Sequence, residues 1–326
     1  IGSEEVYRAT MSYLDWRVHG FFFSFIAVMF RAFYVSTTNT KILTANSVVM
    51  VLTNVVLNYI LIFGKFGFPA LGIAGAAIAS SISEAVSVLF FVIYTWKKID
   101  YKKYGLFRFT RVDFRMLGQI LSVSIWVMIQ HGIAFGGWFI FFIAMEHLGE
   151  RPLAITNVVR SISSFLFMFV NAFASTNSSL VSNLIGAGES DRVLPLCRRM
   201  IELCYAFVLP IGILIAMFPS TVLRIYTDNP DLIASSIPSL WVMLSSYLFA
   251  VPGFIYFFSV SGTGNTRRAL EIDMASIFVY VLYILYVAVW LRADVAVCWT
   301  TEYVYNIMIL SSFFYLWKGN WRNKKI

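Results

Sequence analysis

Asn58-Tyr59-Ile60-Leu61-Ile62-Phe63-Gly64 runs into a short loop, then into Phe68-Pro69-Ala70-Leu71-Gly72-Ile73-Ala74-Gly75-Ala76-Ala77-Ile78-Ala79. The first string ends an apolar run. Gly67 and Pro69 mark a turn, and the second string opens a helix whose first turns are mostly Gly and Ala. Small residues let helix backbones approach closely inside a bilayer, where packing replaces the hydrophobic drive between helices. The stretch therefore predicts a hairpin of two membrane helices.

Composition extends that reading to the whole chain. Of 326 residues, 59% are hydrophobic and 13% charged, whereas soluble domains carry about 25% charged residues. A soluble enzyme, a disordered chain and a disulfide scaffold are excluded. The net charge of +8 sits between apolar runs rather than along one face, so no nucleic-acid partner is implied. Cys197, Cys204 and Cys298 show no metal-ligand spacing and are expected to be packed thiols.

Runs of about 20 apolar residues, the length that spans a bilayer, occur at 18–35, 42–63, 71–95, 115–145, 152–184, 195–218, 232–260, 270–291 and 294–317. Nine crossings place the loops alternately on two sides. One side receives seventeen basic residues, among them Lys97, Lys98, Lys102, Lys103, Arg108, Arg111, Arg198, Arg199, Arg267, Arg268, Arg322, Lys324 and Lys325. The other receives six: Arg8, Arg17, Lys65, Arg151, Arg224 and Arg292. Cytoplasmic loops carry the excess of Lys and Arg, so the C-terminus is expected in the cytoplasm.

Thr37-Thr38-Asn39-Thr40-Lys41 follows the first span, and Thr263-Gly264-Asn265-Thr266-Arg267 follows the seventh. The two lie six helices apart and suggest a parallel repeat, as in transporters built from two like halves. A six-helix unit then predicts that spans four to nine form one full unit. Spans one to three form the second half of another, and with no Met at Ile1 the chain is expected to be a fragment.

The hairpin string resembles the fifth-to-sixth helix hairpin of the multidrug and toxic compound extrusion (MATE) family. Leu184-Ile185-Gly186-Ala187-Gly188, with Glu189, Asp191 and Arg192 after it, is similar to that family's eighth-to-ninth connection. Gly262-Thr263-Gly264-Asn265-Thr266 is similar to the end of its tenth helix. The resemblance covers essentially the whole chain, mapped onto family helices four to twelve and lacking the first three. It implies an all-α, polytopic integral membrane protein of about nine transmembrane helices, a two-lobe bundle with an incomplete N-lobe. Residues 1–96 would be the second half of the N-terminal lobe, 97–114 a cytoplasmic linker, 115–317 the C-terminal lobe and 318–326 a basic cytoplasmic tail. The implied activity is a cation-coupled antiporter that exports organic, often cationic, solutes through a central cleft by alternating access. In one branch of the family, acids on helices seven and ten are associated with Na+. The corresponding stretches here, Ser124–Phe139 and Tyr247–Gly262, contain no Asp or Glu, so the coupling ion, H+ or Na+, is left open.

The cavity residues are read from polar groups inside apolar spans. Asn157, Arg160, Ser161, Ser164, Asn171 and Ser175 recur near one helical face of span 152–184, and such a stripe should face a bundle interior or a wet cavity. Glu84 and Glu302 lie within spans, where an ionised group costs roughly 2.5–3.5 kcal/mol even on the lenient insertion scale. They should be paired, protonated or functional, and pairing with Arg160 is the structural alternative. Gln130 and His131 sit mid-span in 115–145, as hydrogen-bonded structure or as a relay. Glu271 and Asp273 follow Arg267 and Arg268 and read as helix-start carboxylates suited to the dipole. The candidate cavity set is therefore Glu84, Gln130, His131, Asn157, Arg160, Asn171 and Glu302.

No phosphate loop, nucleophile elbow or HExxH string is present, so neither an enzyme nor a cofactor is indicated. The expected partners are small organic solutes and the bilayer, with a monomer in the cytoplasmic (inner) membrane. A lipid-linked oligosaccharide flippase of the same superfamily would need a cleft lined by several Arg or Lys. A multi-pass lipid enzyme would need clustered His and acids at one membrane face. An inactive truncated transporter is the remaining alternative.

Overall fold

The computed structural model describes residues 4–100, 103–105, 113–319 and 321, which hold helices and no strand. Lys102, Arg108 and Arg111 of the linker, Ile1, and Arg322, Lys324 and Lys325 of the tail lie outside the described residues. The chain divides into two compact units, Ile1–Arg111 and Val112–Ile326. Among the described residues, eight helices are long and apolar enough to cross a membrane.

The first unit holds α1 (Glu4–Ser36), α2 (Lys41–Phe63) and α3 (Gly72–Lys98). Helix α3 is the middle helix, packing along both α1 and α2, which barely touch each other. Its small residues make this possible. A Cβ on Gly75 would sit 2.6 Å from the Leu61 carbonyl oxygen, and Ala77 and Ala79 are fully buried. Gly64 ends α2 in the left-handed conformation (φ 65°), and the Leu71 N–H donates back to the Leu61 carbonyl at 2.9 Å. The hairpin predicted from 58–79 is thus closed by backbone contact. Polar groups are paired across the seams: Asn46 Nδ2 donates to Ser87 Oγ at 2.8 Å, and the Tyr34 and Thr95 hydroxyls meet at 2.6 Å.

The second unit holds α4 (Phe114–Leu148), α5 (Glu150–Gly186), α6 (Val193–Met217), the short α7 (Pro219–Leu223), α8 (Pro230–Gly262) and α9 (Thr266–Ile284). A π-helical turn at 285–290 extends α9, and α10 (Val295–Trp299), α11 (Thr301–Ile309) and α12 (Ser312–Lys318) follow. Helices α5 and α8 share the main seam. There a Cβ on Gly262 would fall 2.5 Å from the Ser178 carbonyl oxygen, and the Ser182 hydroxyl donates to the Gly262 carbonyl at 2.7 Å. Asn177 Nδ2 donates to Ser259 Oγ at 2.7 Å in the same seam. Pro252 lies inside α8, and a helical proline leaves the carbonyl four residues earlier without its N–H. That carbonyl belongs to Leu248, and the Tyr205 hydroxyl of α6 donates to it at 2.5 Å. All three cysteines are free and buried.

Two expected boundaries differ. The first span reaches back to Glu4, so Arg17 lies within a helix rather than in an outer loop. Segment 294–317 is three short helices rather than one. At Thr300, and again at Ser311, Phe313 and Phe314, the amides bond three residues back instead of four, as in Thr300 N–H to Val297 O and Ser311 N–H to Met308 O. The Thr300 and Thr301 hydroxyls also bond back to the Val297 and Cys298 carbonyls. Such back-bonding competes with the helical ladder.

The two repeat strings adopt one turn. Thr38 (φ 58°) and Gly264 (φ 77°) occupy matching left-handed positions. In each turn the preceding Thr amide bonds four residues back, to Phe33 or Ser259, and the left-handed residue bonds three back, to Val35 or Ser261.

Candidate functional site

A cavity of about 540 Å³ lies inside the second unit, with walls from α4, α5, α8, α9 and α11. Each helix presents residues at helical spacing. Helix α5 contributes Arg160, Ser163, Ser164, Phe167 and Asn171; α8 contributes Tyr247, Ala250, Phe254 and Phe258; α9 contributes Asp273, Ile277 and Tyr280; and α11 contributes Glu302, Tyr305 and Asn306. Helix α4 adds Gln130, His131, Phe135, Trp138 and Phe142. The result is an aromatic chamber with a few polar groups, the composition of a small-molecule site.

Its charges are arranged by depth. Asp273 is 1% exposed, and the Tyr305 hydroxyl donates to its Oδ1 at 2.9 Å. Gln130 and His131 line the same cavity as Asp273. Glu302 is half-buried, in the first turn of α11. No cation or donor among the described residues pairs with it, and it lines the same cavity as Tyr247, Tyr280 and Tyr305. Arg160 is exposed, its guanidinium 5.1 Å from the centroid of Phe142, with no carboxylate partner among the described residues. The Tyr247 hydroxyl donates to the Ser163 carbonyl at 2.7 Å, tying α8 to α5 across the chamber. Two polar atoms in the wall, Tyr280 Oη and Asn306 Oδ1, are buried with no hydrogen-bond partner among the described residues.

Five of the seven residues expected from the sequence line this cavity: Gln130, His131, Arg160, Asn171 and Glu302. Asn157 is exposed and is not among its walls; its carbonyl accepts the Ser161 hydroxyl at 2.9 Å. Glu84 is placed elsewhere. In the first unit its carboxylate takes both Arg17 Nη1 (2.8 Å) and Arg17 Nη2 (2.7 Å), with the two side chains 15% and 22% exposed. The pairing with Arg160 is therefore corrected to Arg17. The sequence hid this because Arg17 was assigned to an outer loop, not to a helix facing Glu84.

Asp273 is the residue that sequence reasoning missed. Read as a helix-start carboxylate beside Glu271, it proves to be fully buried two turns into α9. Glu271 does what was expected, pairing with Arg267 at 3.5 Å and Arg268 at 2.5 Å. Positions two apart on a helix point roughly 200° apart, so both acids could not serve the same basic pair. The i, i+4, i+7 series Asp273, Ile277, Tyr280 was the available signal. The stretches 124–139 of α4 and 247–262 of α8 hold no acid, yet α9 and α11 bring two into the same chamber.

A multi-pass, all-α membrane protein with an acid-bearing aromatic chamber inside one helical unit is the class so defined. A family model, MatE, matches residues 127–289. The chain belongs to the MatE (MATE) family, which is one of transporters, not enzymes. Among similar proteins, a Thermotoga maritima protein named "Probable multidrug resistance protein NorM" is 29% identical over 239 residues, 72% of this chain and 50% of its own length. The Bacillus subtilis "Probable multidrug resistance protein YoeA" is 25% identical over 248 residues, 75% of this chain and 53% of that one. The chain spans about half the length of the curated relatives it matches. In fold it is similar to a variant of the Vibrio cholerae MATE transporter VcmN, with TM-score 0.84 at 16% identity, covering 99% of this chain and 73% of that one. A MATE structure in complex with MaL6 gives TM-score 0.83 at 16% identity, over 94% and 69% of the two chains.

Proposed function

We propose that the protein is a cation-coupled antiporter, driven by H+ or Na+, that exports organic, often cationic, solutes across the cytoplasmic membrane by alternating access. The C-terminus lies on the cytoplasmic side, and the expected working form is a monomer. The observation that carries the reading is the pair Asp273 and Glu302 inside one aromatic chamber of about 540 Å³. Intramembrane carboxylates are costly and mark ion or substrate pathways, and ring faces attract an organic cation. A carboxylate that binds either the coupling cation or the solute makes the two compete, which is the elementary requirement of exchange. The names of the similar NorM and YoeA proteins support multidrug efflux as the direction of transport. A flippase for a pyrophosphate-linked substrate needs several cations, and among the described residues Arg160 is the one Arg or Lys in this chamber.

The test is ethidium transport by energised everted vesicles, with proton and Na+ gradients collapsed separately. Loss of transport with one gradient establishes antiport and names the ion. Glu302→Gln and Asp273→Asn should each lower ethidium transport at least tenfold. Transport that is indifferent to both gradients, or unchanged in both variants, overturns the reading.

A further inference from the structure

Resting on the reading of the second-unit chamber as a solute site, we infer that Arg160 is its carboxylate receptor and that the chamber selects zwitterionic solutes. Such a solute carries a cationic group at one end and a carboxylate at the other. Arg160 and Glu302 line the same cavity, and both have long side chains, yet they do not pair with each other. Neither pairs with any other opposite charge among the described residues. The second acid is already engaged, because Asp273 takes the Tyr305 hydroxyl. Among the described residues, the chamber therefore offers one unpaired Arg or Lys, Arg160, and one unpaired carboxylate, Glu302, to whatever enters it.

Their depths set the orientation. Arg160 is exposed, Glu302 is half-buried, and Asp273 is almost fully covered. A solute entering with its cationic end foremost meets the carboxylates at depth and leaves its own carboxylate beside Arg160. The Phe142 ring against the guanidinium holds the plane without consuming an N–H. The donor edge stays available for the two-pronged contact that guanidinium makes with carboxylate. The walls of the same cavity include Trp138, Phe167, Phe254 and Tyr280, which suit an aromatic body. A serine one turn further along α5, Ser164, shares the lining face with Arg160.

A matched dye pair tests this: a rhodamine free acid, zwitterionic at neutral pH, and its methyl ester, a plain cation. Binding to the full chain in phosphatidylcholine nanodiscs is read by fluorescence anisotropy. The free acid should bind about tenfold more tightly than the ester, the scale of one charge-assisted contact. Arg160→Gln should erase that preference by weakening the free acid about tenfold, and Arg160→Lys should restore part of it because charge without the fork is retained. Equal affinities in the wild type, or a tighter ester, overturn the role of Arg160. The reading of the chamber as a cation-solute site still stands in that case if Glu302→Gln weakens the ester. Loss of both dyes in Arg160→Gln makes Arg160 structural and also refutes the inference. If neither dye binds the wild type, both readings fall.

Discussion

Removing one partner of the Arg17–Glu84 pair should cost more than removing both. Two N–H groups of Arg17 meet the two oxygens of Glu84 at 2.8 and 2.7 Å, with the side chains 22% and 15% exposed. Breaking a fully buried pair from one side costs about 3–5 kcal/mol, because an uncompensated charge is left behind, whereas exposed pairs are worth roughly 0–1 kcal/mol. The residual exposure here places Glu84→Gln and Arg17→Met at about 2–3 kcal/mol each, between those limits. The double variant leaves no charge unpaired, and replacing a whole pair with apolar groups is often neutral, so it should lie within about 1 kcal/mol of wild type. Equilibrium unfolding in mixed micelles, followed by Trp fluorescence, closes the double-mutant cycle with a coupling of about 2 kcal/mol or more. Additive single effects, or a Glu84→Gln that costs nothing, would refute the claim that this pair is a desolvated structural tie. Ethidium transport by Glu84→Gln should then fall only in proportion to the folded fraction, unlike that of Glu302→Gln.

Three further outcomes follow from backbone contacts. Gly262→Leu should disrupt the α5–α8 seam, because even a Cβ would lie 2.5 Å from the Ser178 carbonyl; we expect a loss of at least about 2 kcal/mol, read by the same unfolding assay. Thr38→Gly should stabilise the protein by about 1 kcal/mol, since a β-branched residue at φ 58° carries the left-handed penalty that glycine lacks. Tyr205→Phe should cost about 1–3 kcal/mol by stranding the Leu248 carbonyl that Pro252 leaves free, and Pro252→Ala in that background should recover part of the loss.

The spans, the close-packed hairpin and most of the chamber were legible because membrane helices announce themselves locally. Length and hydropathy mark their extent, glycine marks close approach, and a polar side chain in an apolar run has to face something wet. Arg160, Asn171, Gln130, His131 and Glu302 were found by that last rule. What failed depended on partners distant in sequence. Glu84 looked unpaired because its cation is 67 residues earlier, inside a helix whose start hydropathy alone set too late. Asp273 looked peripheral because local charge near Arg267 explained it too easily, while its true partner, Tyr305, stands on another helix. The breaks in the last apolar run were also invisible. Threonine hydroxyls that bond back to their own helix, as at Thr300 and Thr301, change the ladder without changing hydropathy.

Every wall of the chamber comes from residues 130–306, on one side of the boundary near Arg111. Under the function proposed above, recognition is carried by a single contiguous cassette. A recombination event at that boundary would then carry the chamber intact into a new partner sequence. In a lineage exposed to shifting toxins, such an arrangement lets selectivity drift through a handful of aromatic and charged positions while the remainder of the chain stays under separate selection.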